Sequence, residues 1–324
     1  MSGVPGTSSA PGECGGSGAG ASPAAPPERM RGYLETGTAS LTNGSIGVMV
    51  SYATAPASML LVLRMAFAVV ALGPVVWLSG SWRDLRLPGV PLRVAAISVV
   101  LAANLLCYFL AIRATGVAVA IFLSYLAPLY VAFLAPLVFR QPADRVVYVS
   151  LALGVTGLGL ILVPGLLVEG ARLSAAGLLY AWLAGVLYAV YLLLAKSSRG
   201  RHVRSTAVVF AQSAFTALVL LPLGLVAMAG APPLTSTDLL MAALLGLVTT
   251  AFSFSLFMDG VRFIRVEHAS IVGYLEPVSA PLYAFLFLGQ VPSAWTLAGG
   301  ALIVAAGIIV VRYGRVDPQP ELVG

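Results

Sequence analysis

Ten apolar stretches, each about as long as a bilayer is thick when coiled into a helix, constrain this chain more than any other feature. They run near residues 32–53, 58–79, 92–112, 116–139, 145–164, 174–195, 205–228, 237–258, 268–289 and 294–312. A helix needs about 20 residues to cross the roughly 30 Å hydrocarbon core. None of the stretches shows the short alternating pattern of a barrel strand. Soluble domains carry about 25% charged residues. This chain carries 9%, against 59% hydrophobic, so its polar groups cannot cover its surface and the excess must face lipid. The expected fold is all-α, a polytopic membrane protein with ten transmembrane helices.

The flanks and loops carry the topology signal. Residues 1–28 are rich in Gly, Ser, Ala and Pro without apolar periodicity, and read as a disordered cytoplasmic tail. Residues 316–324 form a second, shorter cytoplasmic tail. With ten helices and a cytoplasmic N-terminus, fifteen Lys and Arg residues fall on the inner side. Only Arg113 and Arg172 fall on the outer side, and Arg64 inside a helix completes the eighteen. That bias is the positive-inside pattern, and it accounts for the net charge of +6 without a nucleic-acid partner. The first stretch is unusually polar. If it did not insert, nine helices would remain and the N-terminus would change sides. Lys196 is the only lysine, an Arg-rich usage that points to a bacterial source and so to the bacterial inner membrane.

Other chemistry is sparse. Cys14 and Cys107 lie in the tail and in an apolar run, which gives no disulfide framework. His202 and His268 lie in or beside cytoplasmic loops and lack metal-ligand spacing. No phosphate-binding loop, nucleophile elbow or CxxC motif is present. The sequence therefore implies no catalytic residue, no metal and no cofactor.

The two halves resemble each other. Tyr125-Leu126-Ala127-Pro128 in the fourth stretch matches Tyr274-Leu275-Glu276-Pro277 in the ninth, at an offset of 149 residues. At the same offset Arg113 matches Arg262, Ala120 matches Ala269, Gln141 matches Gln290 and Asn104 matches Ser253. The offset spans five helices, and five is odd, so the second copy enters the bilayer in the opposite direction. The expected plan is two inverted five-helix repeats, 29–166 and 167–315. Such repeats build transporters with a site between them.

At these residues the chain resembles the drug/metabolite transporter superfamily in its EamA branch. Arg64 ends the run Met59-Leu60-Leu61-Val62-Leu63-Arg64 where that family often has an arginine. Pro128 and Glu276-Pro277 are similar to its helix 4 and helix 9 prolines, and Gly185-Val186-Leu187-Tyr188-Ala189-Val190-Tyr191 is similar to the start of its second repeat. The resemblance covers about residues 30–312 and implies ten helices in two inverted units. The sequence departs from the family where Arg140-Gln141 and Gly289-Gln290 replace its usual Gly-Glu pairs, and where Asn43-Gly44 replaces Trp-Gly.

Glu276 is the leading candidate, because an ionisable group inside a span is costly and is a functional hypothesis by default. It could hold a proton, a solute or a cation. By helical rise it lies roughly 12 Å from the inner end of its span, and Arg64 roughly 10 Å from the outer end of its own. The depths differ by about 8 Å, within reach of long side chains, so the two form an ion-pair or coupling candidate, with a structural pair as the alternative. Pro128 and Pro277 each remove a helical hydrogen bond and are candidate hinges, or else static kinks.

Thr36, Ser40, Asn43 and Gly47 share one helical face that either lines a cavity or packs closely. Asn104, Tyr108, Tyr125, Tyr188, Tyr191, Ser253 and Tyr274 join Asn43 and Glu276 as candidates for a solute pathway. The eighth helix offers Thr249, Ser253 and Phe257, and Tyr180, Ala184, Tyr188 and Tyr191 share one face of the sixth. Such a lining suits a neutral or zwitterionic solute with an apolar part, because the spans hold too few cations to clamp a phosphate.

The expected activity is secondary transport of a small metabolite, an amino acid or related compound, by alternating access. Export is favoured by what the resembled branch contains. The partners are the solute and the lipid bilayer, with a homodimer left open. A membrane-embedded enzyme would need clustered His, Asp or Glu at one depth. A nontransporting scaffold would need a folded soluble domain, for which the short loops leave no room.

Overall fold

The computed structural model describes residues 26–115, 117–140, 144–169, 174–197 and 203–314. Most of the tail read as disordered, and Gln141, Arg172, His202 and residues 316–324, lie outside the described residues. The chain is all-helical. Helices α1 (Pro26–Asn43) and α2 (Ile46–Tyr52) occupy the first apolar stretch, and α3 (Ala57–Leu78) the second. A 3₁₀ turn (Ser81–Arg86) leads into α4 (Val90–Thr115). Helices α5 (Val117–Ser124) and α6 (Ala127–Phe139) share the fourth stretch. Next come α7 (Arg145–Glu169), α8 (Ala175–Ser197) and α9 (Ser205–Met228). The eighth stretch holds α10 (Ser236–Leu244), a π-helical turn (Leu245–Phe252) and α11 (Ser253–Gly260). Helices α12 (Val266–Val272) and α13 (Leu275–Leu288) share the ninth, and α14 (Ala294–Tyr313) is the tenth. Helix α1 begins at Pro26, inside the stretch read as tail.

Nine helical stretches among the described residues are long and apolar enough to cross a membrane. The first, α1–α2, is helical at the expected place but too polar to be counted with them. Large apolar side chains point outward, with Leu78 85% and Leu286 71% exposed, whereas Thr36, Ser98, Thr216, Thr249 and Ser253 are wholly buried. This inversion of the soluble pattern is what a lipid-facing body requires. Thr36, Ser98 and Thr249 donate within their own helices, to Gly32 O at 2.8 Å, Val94 O at 2.7 Å and Leu245 O at 2.7 Å, so these three need no water to satisfy them.

Three spans are broken, each at a local sequence cue. Gly44-Ser45 separates α1 from α2, Tyr125-Leu126 separates α5 from α6, and Gly273-Tyr274 separates α12 from α13. Pro128 and Pro277 fall in the first turns of α6 and α13, where a missing N–H costs no helical bond. They therefore restart helices after a break and do not kink continuous ones. The fourth and ninth spans also end alike. Arg140 (φ 53°) and Gly289 (φ 67°) are both left-handed C-caps.

Helix packing follows small residues. At the α7–α14 crossing, a Cβ on Gly157 would strike Gly299 O, and one on Gly299 would strike Gly157 O. Gly185 of α8 lies against Leu123 O and Ser124 O at the α5–α6 break. Gly44 lies against Ser279 of α13. Helix α4 packs on α8, α1 on α11, and α3 on α9.

At the ends of the bundle, Lys196 donates to Val261 O at 2.9 Å and Ile264 O at 2.7 Å. Buried Arg265 and Glu267 pair at 3.1 Å. Tyr33 Oη meets Nδ1 of buried His268 at 2.7 Å. His268, expected beside a loop, is thus 1% exposed inside the bundle, because α12 starts at Val266, ahead of the expected boundary.

Candidate functional site: a cavity where the broken spans meet

A cavity of about 300 Å³ lies where the broken spans meet α3, α4, α8, α9 and α11. Of the residues expected along a solute path, Asn43, Asn104, Tyr108, Tyr125, Tyr188, Tyr274 and Glu276 line it. Arg64 and Pro128 line it as well, and Pro277 is buried beside it. The breaks explain the convergence. Ending α1 at Asn43, α5 at Ser124 and α12 at Val272 brings Asn43, Tyr125, Gly273 and Tyr274 to one space.

Tyr191 and Ser253 do not line the cavity. Tyr191 is fully buried, stacked between Tyr188 and Phe254 with ring centroids 6.0 and 5.9 Å away. It supports the wall from behind. Ser253 Oγ lies 2.9 Å from Ala39 O and 2.8 Å from Asn43 Oδ1. Its one proton serves the carbonyl if the Asn43 amide is turned to offer its NH₂, an orientation set by the network.

Of Thr249, Ser253 and Phe257, only Phe257 lines the cavity. Thr250, Phe254 and Phe257, spaced four and three apart as on one helical stripe, face it, while Thr249 and Ser253 lie beside that stripe on Leu245 O and Ala39 O. Gly47 likewise leaves the face expected for Thr36, Ser40 and Asn43 and is exposed, because the break at Gly44-Ser45 resets the helical phase. Gln212 and Ser213 of α9 also line the cavity and were not anticipated. The repeat carries a signal for Ser213, which stands 149 residues after Arg64, but not for Gln212, which stands 149 after Leu63.

Two charges face the space. The Glu276 carboxyl lies near the Tyr125 phenol and within Coulombic range of Arg64. No contact ion pair joins Arg64 to Glu276 among the described residues. Arg64 Nε instead donates to Thr250 Oγ1 at 2.8 Å. The cavity thus holds one cation and one anion, held apart, among amides, hydroxyls and aromatic faces. No group of three or more His, Cys, Asp or Glu that could hold a metal occurs among the described residues.

Hydrogen bonds on either side of the cavity correspond between the halves. Asn104 Nδ2 of α4 donates to Ala184 O of α8 at 2.7 Å. Its counterpart, Ser253 of α11, lies on Ala39 O of α1 at 2.9 Å. A second correspondence joins loops. The Ala55 amide donates to Asp238 Oδ1 at 2.9 Å, and the Arg204 amide, 149 residues later, donates to Asp84 Oδ2 at 3.1 Å.

An apolar-surfaced helical body enclosing a mostly apolar cavity that carries one basic and one acidic side chain is the architecture of a membrane transporter for small solutes. The chain belongs to the EamA-like transporter family, which matches residues 30–163 and 175–312, a family of transporters and not of enzymes. It is 31% identical over 293 residues to the pseudopaline exporter CntI of Pseudomonas aeruginosa, covering 87% of this chain and 96% of that one. It is 26% identical over 217 residues to the threonine/homoserine exporter RhtA of Salmonella typhimurium, covering 65% and 68%. A solved crystal structure shares the fold with a TM-score of 0.74 at 21% identity, covering 86% of this chain and 96% of that one. The protein is accordingly a multi-pass membrane protein with a duplicated EamA unit.

Proposed function

We propose that this chain is an alternating-access secondary transporter that moves a small neutral or zwitterionic metabolite, an amino acid or related compound, through the cavity between two inverted repeats. The observation that carries the reading is the matched pair of hydrogen bonds from Asn104 to Ala184 O and from Ser253 to Ala39 O. Each half holds the first helix of the other through equivalent donor positions, with the acceptor carbonyls one helical turn out of the 149-residue register, beside the same cavity. In this reading α1–α2 is a tenth, broken span. Its polar face is tolerated because it is turned to α11, α13 and the cavity instead of lipid.

Five apolar spans separate Ala55 from Arg204, so the Asp238 and Asp84 contacts lie on opposite membrane faces. The charge bias of the loops favours cytoplasmic termini in a bacterial inner membrane. Export is favoured because relatives are named as exporters of threonine and homoserine or of pseudopaline. In Glu276, the site holds one carboxylate able to carry a proton during the cycle.

Purified protein in liposomes should exchange labelled amino acids or related metabolites across the bilayer, and a Glu276→Gln variant should lose the pH dependence of that flux. Failure of all such solutes to move would overturn the solute reading. Full pH-dependent uptake by Glu276→Gln would remove the carboxylate from coupling.

A further inference from the structure

The cavity's two charges are not repeated. At the 149-residue offset Arg64 corresponds to Ser213 and Glu276 to Ala127, and all four residues line the space. The frame is duplicated but its polarity is not, so a solute with two unlike ends meets only one orientation that matches.

Arg64 is held in a particular way. Its Nε donates to Thr250 Oγ1, and Thr250 lines the cavity from within the π-helical turn Leu245–Phe252. Such turns are rare and recur at functional sites. The residue 149 positions earlier, Leu101, lies within the α-helix α4, so the hydroxyl and its turn belong to one half alone. With Nε engaged, the guanidinium plane is fixed, and its two terminal nitrogens have no hydrogen-bond partner among the described residues. A fork of N–H groups on a lined cavity is the geometry that takes a carboxylate through two parallel bonds. Across the space, Glu276 and the Tyr125 phenol offer an acceptor and an anion to a cation. Leu101, Leu105, Leu192, Phe254 and Phe257 supply apolar wall between them.

We infer that Arg64, positioned by Thr250 from the π-helical turn, is the carboxylate half-site of this transporter, and that Glu276 with Tyr125 is the ammonium half-site. This rests on the proposed reading of the cavity as the solute site and adds to it a chemistry and an orientation. The solute carries a carboxylate and an amine at opposite sides of an apolar body or branch point. A zwitterion compensates both buried charges at once. A plain acid or a plain amine leaves one of them unmatched in a low-dielectric space, which is costly. Thr250 is a positioning residue and acts through Arg64.

The test uses full-length protein in detergent and follows thermal stabilisation by the twenty standard L-amino acids. For each one that stabilises, the corresponding amine without the carboxylate and acid without the amine are added at matched concentrations. The half-stabilising concentration of amino acid and acid should rise about tenfold in Thr250→Val, which keeps the shape but removes the hydroxyl. That of the amine should not change, and Thr250→Ser should restore the wild-type values. Glu276→Gln should show the reverse selectivity, weakening amino acid and amine but not acid. If the wild type responds to none of the amino acids, the zwitterion reading of the cavity falls and the half-sites fall with it. If it responds but Thr250→Val weakens acid and amine equally, or neither, the half-site assignment alone is overturned. If Thr250→Val does not fold, Thr250→Ala and Thr250→Ser carry the same comparison.

Discussion

Individual side chains in this bundle have their largest effects where lipid and packing leave no water to replace a lost partner. Tyr33 and His268 are 6% and 1% exposed, and Tyr33 Oη is the partner of His268 Nδ1 at 2.7 Å. The other ring nitrogen has no partner among the described residues. Tyr33→Phe keeps the stacked ring but orphans Nδ1 as well. The expected cost is about 1–3 kcal/mol, read as a lower thermal midpoint in detergent; no change would mean that the ring contact alone holds this end of α1. Arg140 presents the opposite case. It adopts φ 53° at an exposed C-cap, where its counterpart Gly289 adopts φ 67° without penalty. Arg140→Gly should stabilise by about 1 kcal/mol, because glycine carries no Cβ to crowd the left-handed conformation.

At the level of elements, close approach is set by glycines that meet backbone, not flexible side chains. Gly157 and Gly299 face each other's carbonyls across α7 and α14. Gly157→Ala must therefore push two helices apart, at about 1–3 kcal/mol. A denaturation midpoint unchanged by that substitution would show the crossing to be slack.

The positions of the elements were legible in the sequence, because span length and loop chemistry are local. Each expected stretch matches its helix to within several residues, the polar first stretch included. The repeat was legible from Tyr125–Pro128 and Tyr274–Pro277, and it placed Tyr125, Tyr274 and Glu276 at one space. What the sequence hid was helical phase. In the eighth stretch the cavity face runs through Thr250, Phe254 and Phe257, with Thr249 and Ser253 turned beside it, a rotation that composition does not reveal. The break at Gly44-Ser45 likewise removed Gly47 from its face. Tyr191 fell behind the wall because stacking with Tyr188 and Phe254 is a tertiary fact that no single-helix pattern contains.

For the molecule as a whole, the matched contacts give a means of testing the proposed exchange of shapes between halves. Asp238 is buried and accepts from Thr54 N at 2.6 Å, Ala55 N at 2.9 Å, Thr235 N at 2.8 Å and Thr235 Oγ1 at 2.6 Å. Asp84, the acceptor on the corresponding loop though not at the 149-residue offset, is less buried and takes the Arg204 amide, while the Arg204 guanidinium donates to Ser79 O at 2.6 Å. In the proposed inverted arrangement with cytoplasmic termini, one latch would close the connection between the first two spans outside, and the other the corresponding connection inside. They should therefore bias the transport equilibrium in opposite directions, since each stabilises one arrangement of its own face.

A protein with Cys14 and Cys107 replaced by serine and a single cysteine at Asn43 reports on the cavity. A membrane-impermeant thiol reagent is applied from either side of oriented vesicles. Asp238→Asn and Asp84→Asn should change the ratio of outside to inside labelling in opposite senses. Asp238→Asn should have the larger effect and should also lower the melting temperature, because it weakens more bonds. Shifts in the same sense would mean that the two latches are static braces, and that the symmetry of the contacts reflects duplication of the gene without alternation of the fold.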